Sequence, residues 1–410
     1  MFKIPNLKTL ETDETLSIAK QLLAQKDAIE SWFEKQWQQV TPPFYSSVDL
    51  RHAGFKLAPV DTNLFPAGFN NLDEAGQARA TEAIRATLQL RFPEAKRILL
   101  IPDSDARNPH YFENVRVLEN LVKQAGYEVK IGSLLSVVTE PRELKTPGGH
   151  AITLYPVKRD DHHLHVDGFE PDLIVLNYDL AGGVADTLRN LKQPVIPSLS
   201  LGWHQRLKSG HFQHYEAIAA DFGKEFDIDP WLISPLFRYC GEIDFMSRAG
   251  EDCIEKHAKV LFASVKEKYK EHNIKKEPFL AIKADAGSFG MAVMMIKDPE
   301  DIHRLNRKQR LKMAVTKGGA TVSNVIIQEG VYSEERFGKN NSATAEPVVY
   351  CIGEYIAGAF YRMHGEQESD ENLNIPGMEF KALKEAKNNN AFYVYSVVAR
   401  LAALAAAYED

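Results

Sequence analysis

The most informative stretch of this chain places a lysine beside a short loop that contains two glycines. The run 278–296 reads as a strand ending near Lys283, a small-residue loop with Gly287 and Gly290, and a second strand. Glycine lacks a Cβ atom and tolerates positive φ, so such a loop can approach a ligand closely. Its backbone N–H groups can surround phosphate oxygens while the ammonium supplies charge. An ordinary β-hairpin with a surface lysine explains this stretch alone equally well.

The two motifs that commonly bind nucleotide phosphates are missing from the sequence. It contains neither Gly-x-x-x-x-Gly-Lys-Ser/Thr nor Gly-x-Gly-x-x-Gly, so a nucleotide would need another fold. The order of strand, glycine loop, strand, helix and the apolar segment 324–331 resembles the ATP-grasp fold. In that fold a lysine meets the phosphates and an apolar strand ending in an acidic residue runs along the adenine. The ATP-binding residues that this resemblance implies are Lys283, Gly287, Ser288, Gly290, Gln328, Glu329 and Val331.

Composition is that of an ordinary globular protein with more than one domain. Of 410 residues, 44% are hydrophobic and 26% are charged, and the formal net charge is -7. This charge argues against general nucleic-acid binding, which usually requires a basic face. The N-terminus has no apolar signal-peptide core, and the apolar run 391–407 is short for a membrane span and carries Arg400. We therefore expect a cytoplasmic protein with a buried C-terminal helix.

The three cysteines, Cys240, Cys253 and Cys351, lie far apart in the sequence. Their spacing is not that of zinc ligands or of a redox dithiol. We therefore expect reduced, partly buried thiols, as is usual in the cytoplasm.

Periodicity predicts an α/β fold, the resemblance above implies that it is of the ATP-grasp-like type, and we expect three domains. These are an N-terminal helical segment with a substrate loop (1–95), a parallel α/β pre-ATP-grasp domain (96–203) and an ATP-grasp domain (204–410), with a helical part (204–275) and a nucleotide module (276–410). The predicted helices are 13–40 with Asp13 as its N-cap, 73–90, 111–124 and 252–271. The predicted strands of the α/β domain are 98–101, 127–131, 151–157 (pairing with the segment after Gly168), 172–177 and 195–196, and the nucleotide module includes one apolar strand at 348–363. Short strands alternating with helices predict a parallel sheet with helices on both faces.

Two irregular segments carry groups that suit an amino-acid substrate. The loop 102–111 follows a buried strand, where open α/β sheets bind ligands, and its Arg107 and Asn108 could hold a carboxylate. The segment 45–72 mixes aromatic anchors with charged groups, unlike a flexible linker. There Asp49 or Asp61 could bind an amino group, and Arg51 or Lys56 a carboxylate. Polar loops that only cap a helix or pack on a sheet explain the same residues.

An acidic, amide-rich segment follows Arg362 and could provide oxygen ligands for Mg²⁺, while Arg362 could stabilise a transferring phosphoryl group. For Glu366, Glu368 and Asp370 a solvated loop is the preferred interpretation. The histidine-rich run 160–167 looks like a metal cluster, but it falls at a turn where polar residues are expected.

Taken together, these residues resemble the proteobacterial, ATP-grasp-related type of glutamate–cysteine ligase over nearly the whole chain. The most specific stretches are 64–72, 107–115, 283–291, 371–380 and 392–401. Arg362 and the Asn-Leu pair at 372–373 also look like those of glutathione synthetases. Those enzymes carry an acidic residue and a Glu-x-Asn metal motif after this region, which this chain lacks there. Either the segment 371–374, with Glu371 and Asn374, supplies the magnesium ligands together with Glu379, or the site is completed differently.

The resemblance implies ATP-dependent joining of the glutamate γ-carboxylate to the amine of cysteine through an acyl phosphate, with Mg²⁺. Lys283 and Arg362 are the implied catalytic residues. The implied substrate residues are Arg51, Lys56, Asp61, Asn63, Arg107 and Asn108. The expected partners are these small molecules, with no nucleic acid, no membrane and possible assembly into a homo-oligomer. Two alternatives stay open: a ligase of the same fold for another amino-acid pair, and a noncatalytic nucleotide or amino-acid sensor.

Overall fold

A computed structural model describes residues 18–103, 109–287, 290–316, 319–337, 342–383 and 389–410. Its helices are α1 (Ala19–Ala24), α2 (Lys26–Trp37), α3 (Glu74–Arg91), α4 (Tyr111–Gln124), α5 (Lys208–Phe226), α6 (Glu251–Glu271), α7 (Arg307–Met313) and α8 (Asn389–Ala407). Its strands are β1 (Tyr45–His52), β2 (Leu57–Asn63), β3 (Arg97–Pro102), β4 (Glu128–Ser133), β5 (Arg142–Lys145), β6 (Ala151–Pro156), β7 (Lys158–Asp160), β8 (His163–His165), β9 (Leu173–Asn177), β10 (Val195–Ile196), β11 (Phe237–Cys240), β12 (Leu280–Ala284), β13 (Val293–Ile296), β14 (Val325–Glu329), β15 (Glu335–Phe337), β16 (Ala343–Ile352), β17 (Tyr355–His364) and β18 (Glu379–Ala382).

A six-stranded antiparallel sheet, here called the central sheet, combines strands from the N-terminal and C-terminal parts of the chain. Its order is β18-β17-β16-β1-β2, with β15 paired to β16. The prediction of an irregular segment at 45–72 is wrong, because β1 and β2 form a hairpin whose register places Asp49 opposite Asp61. Charged side chains on one face of these strands interrupt the apolar alternation from which strands are recognised. The central sheet thus combines residues of the predicted first and third domains.

A second, four-stranded antiparallel sheet has its own hydrophobic cluster. Its order is β11-β14-β12-β13, and helix α6 packs against it through Ile254, Leu261 and Val265. The strands β12 and β13 with the loop between them confirm the predicted strand–loop–strand unit. The predicted single strand at 348–363 is instead the β16–β17 hairpin, which turns at Gly353 with a φ of 55°. Glycine tolerates that conformation without a Cβ clash.

The predicted parallel α/β region is present, with two differences. Strands β10-β9-β3-β4-β6 are mutually parallel and β5 adds an antiparallel edge. Strand β6 pairs with β4 and β5, not with the segment after Gly168. Helices α3 and α4 cover one face, whereas loops and short segments containing Phe65, Leu180 and Leu201 cover the other. Helix α8 contributes Ala406 to this second face, so helices contact both faces but cover them unequally.

Helix α8 is the buried C-terminal helix that the sequence predicts. It packs across the central sheet and against α5, and Val394, Val397 and Leu401 are fully buried. Among the described residues, one helical window, Asn390–Ala407, is long and apolar enough to span a membrane by composition, but 89% of it is buried inside the protein. Its Arg400 pairs with Glu30 at 2.7 Å.

The predicted helix at 13–40 is divided into α1 and α2, which are separated at Gln25, and Asp13 lies outside the described residues. The predicted N-terminus of α3 is confirmed, because the Asp73 carboxylate accepts a hydrogen bond from the Gly76 N–H at 2.8 Å. Helix α4 has the predicted bounds, and α6 begins one residue earlier than predicted.

Candidate active site

A cleft of about 650 Å³ lies between the central sheet and the four-stranded sheet. Its polar lining residues are Asp49, Arg51, Asp61, Lys208, Lys283, Gln328, Glu329, Glu346, Arg362, Asn372 and Asn374, and its other lining residues include Phe279, Met291, Met295, Val331 and the glycines Gly287, Gly290 and Gly330. The cleft therefore has charged side chains of both signs and an apolar part.

One wall is a row of charged side chains across the central sheet. Glu346 lies opposite Arg362 in the β16–β17 register, and its carboxylate accepts hydrogen bonds from Arg362 Nη1 at 2.7 Å and from Arg51 Nε at 3.0 Å. The same Arg362 nitrogen donates to Asp49 at 2.8 Å. Two carboxylates therefore converge on one guanidinium nitrogen.

The side chains of this row shift one another's pKa values, and burial acts against the charged form of each. Burial raises the pKa of Asp49, and the nearby Glu346 adds to the rise against the effect of Arg362. Burial would also raise the pKa of Glu346, but Arg51 and Arg362 hold it below its ordinary value. The two carboxylates in turn raise the pKa of Arg362, although burial opposes them. The arginines thus stabilise buried negative charge.

Lys283 reaches the cleft from strand β12 of the facing sheet. Its ammonium donates to the Val60 carbonyl at 2.8 Å and to Gln328 Oε1 at 2.7 Å, both uncharged acceptors. Burial lowers the pKa of Lys283 to about 8, against the opposing effect of Asp61. The amide nitrogen of Gln328 is buried without a hydrogen-bond partner among the described residues.

Asp61 and Lys208 form a second charged pair at the cleft. The Lys208 ammonium donates to both carboxylate oxygens at 2.8 and 2.9 Å and lies 4.1 Å from the ring centre of Trp203. Burial would raise the pKa of Asp61, but Lys208 and Lys283 lower it below its ordinary value. Asp61 is therefore an ionised carboxylate beside two ammonium groups.

The glycine loop after β12 has the conformation that its composition predicts. Gly287 and Gly290 have φ values of 123° and 64°. A Cβ atom on Gly290 would lie 2.5 Å from the Asn374 carbonyl oxygen, so the loop and the segment around Asn374 touch at this point. Ser288 lies outside the described residues.

The segment predicted to run along an adenine is also at the cleft, but Glu329 is engaged elsewhere. Its carboxylate accepts from Lys56 at 2.8 Å, from the Trp231 indole at 3.1 Å and from the Leu236 N–H at 2.9 Å. The Val331 carbonyl accepts from Arg51 at 3.2 Å. The Glu329 carboxylate is thus occupied by three donors, and the Glu329 and Gly330 N–H groups donate to the carbonyls of Leu236 and Phe279.

Several predicted residues do not line the cleft. Lys56 is 1% exposed and pairs with Glu329. Asn63 closes a local turn with the Phe65 N–H at 3.0 Å. The Glu371 carboxylate accepts from the Glu368 N–H at 2.8 Å, while its carbonyl accepts from Arg51. Arg107 and Asn108 lie outside the described residues.

Sequence reasoning missed Glu346 and Lys208, which have no local motif because each acts with a partner distant in the chain.

The β1–β2 hairpin contains one sequence signal that could have been noticed. Asp61-Thr62-Asn63 has the acidic-x-Asn spacing sought after residue 374, and it lies on β2. Alternation along a strand puts Asp61 and Asn63 on the same face.

The cleft contains the types of ligand that Mg²⁺ prefers, and in this structure Asp49 and Glu346 are paired with arginine and Asp61 with Lys208. Asp49, Asp61 and Glu346 offer carboxylate oxygens and Asn374 an amide, and these are the hard ligands that Mg²⁺ prefers. In the described parts of the chain, the groups of histidine, cysteine and acidic residues close enough to share a metal lie elsewhere and do not include 160–167.

The fold and the site define a mixed α/β enzyme with a cleft between two antiparallel sheets. The cleft contains residues of types that bind phosphate and a buried row of carboxylates and arginines. The model of the glutamate-cysteine ligase family matches residues 19–410. The chain belongs to that family, and it is a ligase of glutathione synthesis.

One solved structure supports the family assignment. A crystal structure from Methylobacillus flagellatus KT, provisionally described as a gamma-glutamylcysteine synthetase, is 45% identical, covers 98% of each chain and superposes with a TM-score of 0.89. D-alanyl-alanine synthetase A from Vibrio cholerae is 12% identical over 75% of this chain and 81% of its own, with a TM-score of 0.36. A glutathione synthetase-like effector from Globodera pallida is 9% identical over 90% and 86%, with a TM-score of 0.38. No curated protein matches the sequence.

Proposed function

We propose that this protein joins the γ-carboxylate of L-glutamate to the amine of L-cysteine, giving γ-glutamylcysteine, ADP and phosphate. The observation that supports it best is the position of Lys283 and Arg362 at one cleft, beside the Gly287–Gly290 loop. These groups supply positive charge and backbone N–H donors of the kind that binds phosphates. ATP is a substrate in this reaction, and the cleft between two sheets is consistent with an ATP-grasp fold.

The chemistry requires activation of a poor acyl donor. A glutamate γ-carboxylate oxygen attacks the terminal phosphorus of ATP, and ADP leaves with the electrons of the broken P–O bond. The amine of cysteine then attacks the acyl carbon and loses a proton as phosphate leaves. Protein groups contribute by positioning the reactants and by stabilising charge on the phosphoryl oxygens.

Each part of the cleft has a proposed task. Lys283, Arg362 and the loop containing Gly287, Ser288 and Gly290 hold phosphates, while the segment 328–331 lies along the adenine with the apolar side chains Phe279 and Met295. Arg51 and Glu346 hold Arg362 in place through the row described above. When bound, Mg²⁺ neutralises outer phosphate charge, and Asp49, Glu346 and Asn374 are the residues that would hold it.

The amino-acid subsites are assigned by charge. Asp61 is ionised beside the cleft and suits an amino group, while Arg107 and Asn108, on the loop after β3, suit an α-carboxylate. Glu371 and Lys56 are engaged in other contacts, so we give them supporting roles. A cytoplasmic location and a homo-oligomeric state remain predictions.

The test is release of phosphate from ATP with glutamate alone, with cysteine alone and with both, together with mass analysis of the products. We expect phosphate release to be fast only with both amino acids, and ¹⁸O from the labelled γ-carboxylate to appear in phosphate. Accumulation of AMP and pyrophosphate would contradict the acyl-phosphate route. Faster turnover with an amine that lacks a thiol would favour a ligase for another amino-acid pair.

A further inference from the structure

Two cysteines that are distant in the sequence meet at the edge of the four-stranded sheet. Cys240 ends β11 and Cys253 lies in the first turn of α6, and their sulfur atoms are 2.8 Å apart. Both thiols are free, as the sequence predicts, but the fold brings them into contact although they are distant in the chain. A disulfide bond of about 2.05 Å is within reach of a small side-chain rotation from this contact.

A histidine completes the cluster. His257 follows Cys253 by one helical turn, so both project from the same face of α6. One of its ring nitrogens lies within 4.8 Å of both sulfur atoms, and its Nδ1 atom is buried without a hydrogen-bond partner among the described residues. A free imidazole nitrogen beside two thiols is placed to accept a thiol proton.

We propose that Cys253 and Cys240 form a thiol–disulfide exchange site that reacts with small-molecule disulfides and ends as an intramolecular disulfide. The two thiols differ in access: Cys253 is half-buried, whereas Cys240 is 2% exposed. Cys253 therefore meets the external disulfide, and Cys240 acts as the second thiol. The site lies outside the cleft, so it does not depend on the function proposed above.

The thiol–disulfide exchange takes place in two steps. The Cys253 thiol passes its proton to the His257 imidazole, and the thiolate attacks the disulfide RS–SR. A mixed disulfide forms at Cys253 and RS⁻ leaves, taking the proton as RSH. Cys240, deprotonated by the same imidazole, then attacks Cys253 Sγ and releases the second RSH. The two protein thiols are oxidised and the external disulfide is reduced to two thiols.

A matched set of variants tests each step. The full-length protein is incubated with glutathione disulfide as the probe, quenched with acid and alkylated, and its mass and linked peptides are measured. The wild type should lose two alkylatable thiols and yield a peptide that links Cys240 to Cys253. Cys240→Ser should stop at a mixed disulfide on Cys253, and Cys253→Ser should form neither product. Cys351→Ala, which removes a buried thiol on the central sheet, should react like the wild type.

His257→Asn separates base catalysis from proximity, since it should slow the exchange while leaving the same final product. Cys253→Ser changes a half-buried position, so it tests the proposal even if Cys240→Ser fails to fold. A mixed disulfide in the wild type that never resolves would overturn the proposal. So would stoichiometric zinc that is held by these three residues and protects both thiols, because the cluster would then be a metal site.

Discussion

Lys56 is buried and Lys283 is half-buried, and desolvation lowers the pKa of each ammonium to about 8, yet their contacts differ. Lys56 donates to the Glu329 carboxylate, so its charge is already neutralised. Lys283 donates to a carbonyl and to the amide oxygen of Gln328, which leave a net positive charge at the cleft. Only the second arrangement attracts an additional anion.

Lys283→Met should reduce kcat/KM for ATP by about 100-fold or more, since a positioned charge that stabilises the transition state is lost. The free energy of unfolding should fall less than in Lys56→Met, because Asp61, the carboxylate near Lys283, keeps its two hydrogen bonds from Lys208. Steady-state kinetics and urea unfolding measure the two quantities. A turnover rate near that of the wild type would contradict the assignment of this cleft to ATP.

Lys56→Met, the matched substitution, should instead lower the free energy of unfolding by about 3 kcal/mol or more, because the buried Glu329 carboxylate would lose its charge partner. Urea unfolding at neutral pH measures the difference. If stability is kept and the KM for glutamate rises, Lys56 binds substrate as the sequence analysis expected.

The lowered pKa of Lys283 predicts how kcat/KM for ATP depends on pH on the alkaline side. The free enzyme must carry the ammonium to attract phosphate, so kcat/KM for ATP should fall as the pH rises through about 8. In Lys283→Arg the charge does not titrate in this range, and the limb should move to higher pH. Lys56→Arg is the control, because Lys56 has a similar pKa but faces Glu329. An unchanged limb in Lys283→Arg would assign it to another group.

At the scale of elements, the glycine loop can be tested without changing a charge. Gly290→Ala should raise the KM for ATP, because its Cβ would lie 2.5 Å from the Asn374 carbonyl oxygen and would separate the loop from that segment. Gly149→Ala is the control, since Gly149 has a similar φ of 81° but open space around its Cβ position and a place outside the cleft. Both variants carry the strain of positive φ, roughly 1 kcal/mol. Equal KM values would show that the contact is irrelevant to binding.

The sequence predicts elements well where one local rule dominates. Helix α4, strand β3, the start of helix α3 near residue 73 and the buried helix α8 follow from periodicity. The β1–β2 hairpin was missed, because Asp49, Arg51 and Asp61 replace apolar residues on the face that lines the cleft. The functional role of that face thus removed the signal by which its strands are recognised.

The same reason limits prediction of the site. Lys283 and the glycine loop are local motifs and could be found in the sequence. The Arg362–Glu346–Arg51 row depends on strands that are far apart in the chain, and neither periodicity nor spacing specifies their register. Three-dimensional pairing was needed to see that Lys56 faces Glu329 rather than the cleft.

At the scale of the whole molecule, the chain's last residues connect α8 to the segment before α5. The Glu409 carboxylate accepts from Arg206 at 2.6 and 2.9 Å and contacts His211 Nδ1 at 2.6 Å. Burial would raise the pKa of Glu409, but Arg206 and His211 lower it to about 2. Burial also lowers the pKa of His211, so the imidazole resists protonation. This cluster holds the central sheet's buried helix against the α5 region.

Glu409 therefore predicts a specific loss of stability in acid. Its pKa is lower in the folded chain, at about 2, than the ordinary value of 4.5, so its contribution is complete above pH 4.5 and is lost as the pH falls toward 2. The shift corresponds to about 3 kcal/mol at neutral pH. Glu409→Gln should lower the free energy of unfolding at neutral pH by a similar amount and flatten its decline in acid. Glu225→Gln, which removes an exposed carboxylate from α5, is the control and should leave both unchanged. Parallel acid titrations of stability for the wild type and Glu409→Gln would place the acid-sensitive carboxylate elsewhere.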